Sequence, residues 1–269
     1  MLKQTTLLFS FLIILASCQS KKDKLTESIL KLETSDSSST PNGFNQLADL
    51  YFDYSKSFPK DSVSELYLYK GFMFKYLTKH WDDAIKFGNF YKSSYVENEY
   101  YHQINLKLAD VYITGKGNAD SALKYYLLAN HKVQFSTDEY RKASQTLVKW
   151  VRLHPNSDSN AGLLYLAAQY LQLCGDFTES VALYSEVTTA FPNCDKCPEA
   201  LMAAGFISWN NLKQIEEAQV FYKKLSEKYP DSPLAEEAKM IVSENILSMS
   251  ELELADYISK KSKATNTPQ

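Results

Sequence analysis

Cys194-Asp195-Lys196-Cys197 is the one place in this 269-residue chain where two thiols stand close enough in sequence to act together. In an oxidising compartment such a C-x-x-C pair can be a redox couple, half of a metal site or a structural disulfide. No strand of a thioredoxin-like unit precedes it. No second cysteine pair completes a zinc set either, because Cys174 stands alone on an apolar face before a helix hinge. The pair therefore reads as a disulfide staple or as two thiols in a tight loop, and Cys174 as core filler. The four histidines, His80, His102, His131 and His154, are at least 22 residues apart, so neither a metal site nor a triad arises locally. Gly115-Lys116-Gly117 lacks the preceding strand and the spacing of a phosphate loop and reads as a helix connection. Gly-x-Ser-x-Gly and His-Glu-x-x-His are absent from the sequence. The acid pairs Asp82-Asp83 and Glu236-Glu237 sit where helices start and suit the helix dipole. No catalytic residue, metal or cofactor is assigned, and the chain is not read as an enzyme.

Cys18 has a different chemistry. Lys3 followed by the apolar run Leu7 to Leu15 has the form of an export signal too short to span a bilayer. It ends in Leu15-Ala16-Ser17-Cys18, which resembles the bacterial lipobox, in which the cysteine thiol is acylated and becomes the first residue of the mature protein. Acyl chains on Cys18, at about 0.8 kcal/mol per buried methylene, would hold the body on a membrane. Gln19 in place of Asp resembles the sorting signal for the outer membrane. The basic stretch Ser20-Lys21-Lys22-Asp23-Lys24 lacks the acidic run of surface-exported lipoproteins, so the periplasmic face is expected. A formal net charge of −3 removes the basic footprint of a nucleic-acid binder, and 8 Gly and 8 Pro are too few for low-complexity disorder.

What must position these residues is a punctuated helical array. One junction recurs as Phe58-Pro59-Lys60-Asp61-Ser62, His154-Pro155-Asn156-Ser157, Phe191-Pro192-Asn193-Cys194-Asp195 and Tyr229-Pro230-Asp231-Ser232-Pro233. A ring closes the last turn, Pro cannot continue the helix, and Asp, Asn or Ser is expected to cap the next one. Pro155, Pro192 and Pro230 follow one another at intervals of 37 and 38 residues. Such a period means stacked helix pairs that cannot bury their apolar faces alone. Between the junctions apolar residues recur at three and four, as in Leu164, Ala167, Ala168, Leu171, then Phe177, Val181, Tyr184, Val187.

Ala168, Gly175-Asp176-Phe177, Ser180, Tyr184 and Pro192, and then Ala218, Tyr222 and Pro230, resemble the tetratricopeptide repeat (TPR). The match covers residues 43 to 248 and degrades toward the N-terminus. It is most similar to TPR lipoproteins of Bacteroidota, and more distantly to the outer-membrane assembly lipoprotein BamD and the Tol-associated periplasmic protein CpoB. The resemblance implies an all-α, TPR-like α-solenoid of about five to six antiparallel helix pairs in a right-handed superhelix. The expected organisation is a lipoprotein signal peptide (1–17), a lipidated N-terminus and linker (18–42), N-terminal helix pairs (43–133), a seam helix (134–156) for which a degenerate extra repeat is the alternative, C-terminal repeats with a capping helix (157–248), and a short helix with a polar tail (249–269).

In the TPR pattern the first helix of each pair lines a concave groove. Carried over, this places Tyr69, Met73, Tyr76, Gln103, Asp110, Tyr165, Gln169, Gln172, Asn210 and Asn211 on or near such a groove, although Tyr165 and Gln169 could equally pack between helices. The function so implied is a membrane-anchored, periplasm-facing scaffold for protein–protein interaction. The alternative is a subunit of an outer-membrane assembly or Tol/peptidoglycan-associated complex. A thiol redox protein using Cys194 and Cys197 is the remaining reading. The expected partners are proteins bound through the groove and the membrane through acylated Cys18, with no nucleic acid.

Overall fold

The computed structural model describes residues 20–96, 98–129 and 136–265. The signal segment 1–17, Cys18 and His131 lie outside them. Among the described residues there are thirteen α-helices and no strand, as the TPR resemblance implies. No described helix is long and apolar enough to cross a membrane. The chain divides into two compact units, residues 1–133 and 134–269.

The first unit holds α1 (Lys21–Glu33), α2 (Pro41–Ser57), α3 (Ser64–Leu77), α4 (Trp81–Ser94), α5 (Glu99–Asp110) and α6 (Ala119–Ala129). A π-helical turn, Val111–Gly115, joins the last two. Each helix packs on the next. Their core is aromatic: Phe52 stacks on Phe87 with ring centroids 4.2 Å apart, and Phe72, Leu68, Ile104 and Leu108 close around them. Lys75 is buried here, its ammonium 2.8 Å from Asp49 and 3.7 Å from Asp83. Asp83 thus serves an ion pair as well as a helix start.

The expectation of a linker over 18–42 does not hold for its described part. Leu25, Ile29 and Leu32 fall at i, i+4 and i+7, and Ile29 is buried against Leu47, Tyr51 and Tyr54. Ser20 and Asp23 form a capping box at the start of α1. The stretch Ser35 to Gly43 is likewise not all loop. Pro41 stands in the first turn of α2, where its missing N–H costs nothing, and the Thr40 side chain accepts from Gly43 N.

The second unit holds α7 (Thr137–Leu153), α8 (Asn160–Cys174), α9 (Phe177–Ala190), α10 (Cys197–Asn210), α11 (Ile215–Lys228), α12 (Pro233–Ser243) and α13 (Glu251–Thr265). Hairpins α8/α9 and α10/α11 follow the repeat phase read from the small residues. Ser180 is fully buried and donates to Ala168 O at 2.8 Å across the first hairpin, and Ala218 is fully buried in the second. Gly205 lets Tyr222 in: a Cβ there would stand 2.9 Å from the ring. Gly175 ends α8 in the left-handed conformation, φ 80°. Helix α7 takes the place of a second helix. Arg141 and Arg152 of α7 reach Asp176 and Glu186 of the α9 hairpin, 35 and 34 residues on, and Lys224 of α11 reaches Thr188 of α9, 36 residues back.

All four aromatic-Pro junctions adopt one turn. Phe58, His154, Phe191 and Tyr229 have φ between −133° and −127° and ψ between 54° and 63°, outside the helical region that a following Pro disfavours. The carbonyl of each accepts from the residue three positions on, at 3.0–3.1 Å. The polar residues after Pro therefore build turns. Only Ser232 caps the following helix with its side chain, while α3, α8 and α10 have no side-chain cap, which corrects the capping role expected for the other three junctions.

Candidate functional site

The first unit brings five of the groove residues together. The Tyr69 hydroxyl on α3 donates to Gln103 Oε1 on α5, and seven residues on, Tyr76 donates to Asp110 Oδ2. Both bonds span 34 residues, the length of one TPR unit, and both join first helices. Two turns of helix separate the rungs, so the pairs lie one above the other on a common face. The Tyr69 ring stacks on Tyr100 with centroids 4.3 Å apart, and the Lys107 ammonium lies 5.7 Å from the Tyr76 ring centre. Met73 packs half-buried between the rungs, against the core below. Burial first, and then the bond to Asp110, hold the Tyr76 phenol above its usual range, so at neutral pH it is a donor to a carboxylate. The result is a half-buried aromatic surface with its polar groups already oriented. Tyr100 and Lys107 belong to it although sequence reasoning missed them. The available signal was their position on α5, three residues before Gln103 and Asp110 respectively.

The second unit treats its candidates differently. The Tyr165 ring meets Tyr184 edge-on at 5.5 Å, Gln169 Nε2 lies 3.4 Å from the Tyr165 hydroxyl, and Gln172 Oε1 accepts from Tyr184 at 3.2 Å. Tyr165 and Gln172 of α8 are thus tied to α9 within one hairpin, and Gln169 to Tyr165 within α8. Burial, then the charge of Glu199, raises the Tyr165 phenol. Asn210 and Asn211 stand exposed at the end of α10, their side chains 3.5 Å apart and far in sequence from the other candidates. The apolar stripe on that helix is Met202, Phe206 and Trp209. Its spacing was legible, but Leu201, Ala204 and Ile207 already satisfied the core pattern and masked it.

The cysteines resolve by geometry. Cys194 and Cys197 are bonded, with Cα atoms 5.4 Å apart. They occupy the junction positions held elsewhere by Asp61 and Ser64, Ser157 and Asn160, and Ser232 and Ala235. In two of those junctions a side chain ties the turn instead: Ser64 and Asn160 each donate to the aromatic residue's carbonyl, both at 2.6 Å. The bridge is a covalent version of the same tie. Cys174 is half-exposed, not core filler, and its thiol donates to Thr137 O at 3.2 Å. It ends the last turn of α8, where the helix meets the start of α7. His154 stacks on Trp150 and His80 contacts Thr78. Among the described residues no three His, Cys, Asp or Glu are grouped to hold a metal ion.

No curated protein matches the chain. The family model YfiO, an outer membrane lipoprotein, matches residues 128–267, which takes in every helix of the second unit and just over half of the chain. Stacked hairpins tied at a 34-residue period and this match lead to one conclusion: the chain belongs to the YfiO family of outer membrane lipoproteins and is a BamD-like envelope protein of the TPR type.

Proposed function

We propose that the protein is a scaffold lipoprotein, anchored to the outer membrane by acyl chains on Cys18, whose body faces the periplasm and binds protein partners through first-helix faces. The observation that carries this reading is the Tyr69–Gln103 and Tyr76–Asp110 ladder. Polar groups that are already paired and oriented lose little freedom when a peptide docks on the rings between them. A half-buried surface of Tyr and Met suits an extended segment or a helix of another protein. Family membership supports the envelope setting. Within it, the narrower role is a subunit of an outer-membrane assembly complex, as in the BamD-like proteins the sequence resembles. The Cys194–Cys197 bridge is assigned to holding the junction before α10, not to redox chemistry, because the same turn forms three more times without it.

The test is extraction of the native protein in mild detergent followed by identification of what co-purifies in stoichiometric amounts. A stable complex with an outer-membrane barrel protein is expected. Recovery of the lipoprotein alone under every mild condition would reject the assembly role.

A further inference from the structure

The second unit carries an apolar cavity of about 590 Å³ between its last hairpin and the C-terminal helices. Met202, Phe206 and Trp209 of α10 form one wall, and Met240 and Ile241 of α12 with Leu247 form the other. The C-terminal helix α13 lies over it and points in Leu254, Tyr257 and Ile258. The seat is partial: the cavity remains open beneath α13, Phe206 is 45% exposed and Ile258 58%. A polar anchor comes from Lys261, whose ammonium is 3.0 Å from Glu244 and 5.5 Å from the Tyr257 ring centre. Leu254, Tyr257, Ile258 and Lys261 stand at i, i+3, i+4 and i+7, the spacing by which an amphipathic helix fills a groove. Glu199 and Glu237 line the cavity with Glu244 beside it; Lys196 pairs with Glu199 at 3.0 Å, and Lys261 of α13 with Glu244.

We infer that the groove between α10 and α12 is a binding site for an amphipathic helix of a partner protein, with apolar anchors at i, i+3 and i+4 and a Lys or Arg at i+7, and that α13 is its built-in competitor. The chemistry of the occupant is read from α13 itself, whose Lys261 pairs with Glu244 and whose Leu254, Tyr257 and Ile258 line the cavity without filling it. A partner helix with bulkier anchors would bury what α13 leaves exposed, and would displace it. This deepens the scaffold reading by naming the partner chemistry, and rests on it only in assuming that the chain binds proteins.

The test uses the purified full-length protein and a fluorescent peptide copying residues 249–263. The double substitution Leu254→Ser and Ile258→Ser removes two partly exposed anchors and frees the groove. The released variant should bind the peptide at least tenfold more tightly than the unmodified chain. Adding Phe206→Asp should abolish the gain. A released variant that keeps its helical circular dichroism yet binds no more tightly than the unmodified chain overturns the proposal. Hydrogen exchange on the unmodified chain decides the matter should the variant misfold. Amides of α13 are expected to exchange at least a hundredfold faster than those of α10, and equal protection would make α13 a fixed part of the array and end the inference. Neither assay needs a native partner, so the proposal can fail while the scaffold reading stands, and the reverse.

Discussion

Tyr69 and Tyr76 each combine a packed ring with a hydroxyl committed to a residue one repeat away, and that combination makes the face rigid. Tyr76→Phe should lower the stability of the first unit by about 1 kcal/mol, with Asp110 left to water. Because the two rungs share helices, the Tyr69→Phe/Tyr76→Phe double variant should deviate from additivity, which denaturant titration of all three variants would measure. Strict additivity would mean that the rungs are independent surface bonds. The tyrosines also set an alkaline limit. Burial raises the phenols of Tyr51, Tyr76, Tyr91, Tyr170 and Tyr184, and lifts Tyr222 to about 12. A phenol whose folded pKa lies above its unfolded value of about 10 lends stability that is complete below pH 10. That stability is lost as pH rises through the folded values. Phenolate absorbance should therefore titrate in two classes, the second appearing only as the fold melts, and a single class near pH 10 would contradict the burial described. The residues of this face were reached through the TPR resemblance, which assigns first helices to a groove. Their pairing was not, because a partner 34 residues away is fixed by how hairpins stack and not by any local pattern.

At the scale of elements, the junction turn was the clearest signal in the sequence, since Pro after a ring forces the same backbone at Phe58, His154, Phe191 and Tyr229. What sequence reasoning misjudged was the job of the residues after Pro, which close the turn instead of capping the next helix. Helix α1 was missed because only three apolar residues, Leu25, Ile29 and Leu32, mark its buried side among lysines and serines. Helix α7, for which the sequence leaves a seam and a degenerate repeat open, is the first helix of the second unit and is tied to the α9 hairpin by Arg141 and Arg152. The junction account makes the disulfide a reinforcement. Replacing Cys194 and Cys197 by Ser should cost about 2 kcal/mol of thermal stability in the second unit, the loop-closure contribution for so short a loop. It should leave cellular function intact, and loss of function with the fold retained would restore the redox reading. Ser180→Trp and Ala218→Trp should each cost about 1–3 kcal/mol or more by overpacking the hairpins. Unchanged melting of either variant would mean that the small residues do not mark the close approach.

For the whole molecule, a net charge of −3 lacks the basic footprint of a nucleic-acid binder, the export-like N-terminus points to the envelope, and the family match supports that setting. Cys18→Ala should abolish acylation and leave the protein soluble or unprocessed, and palmitate labelling that survives the change would refute the lipid anchor. The partner was not legible, because a groove built from hairpin stacking shows its lining residues only after the fold brings them together. The central claim is that partners dock on first-helix faces. It is tested most directly by placing a photo-crosslinking amino acid, in living cells, at Met73 on α3, and separately at Lys86 and Lys124 on the exposed sides of the second helices α4 and α6. A discrete crosslinked protein that appears at Met73 and not at the other two positions is the predicted result. Crosslinks of equal yield at all three positions, or only at Lys86 and Lys124, would contradict it.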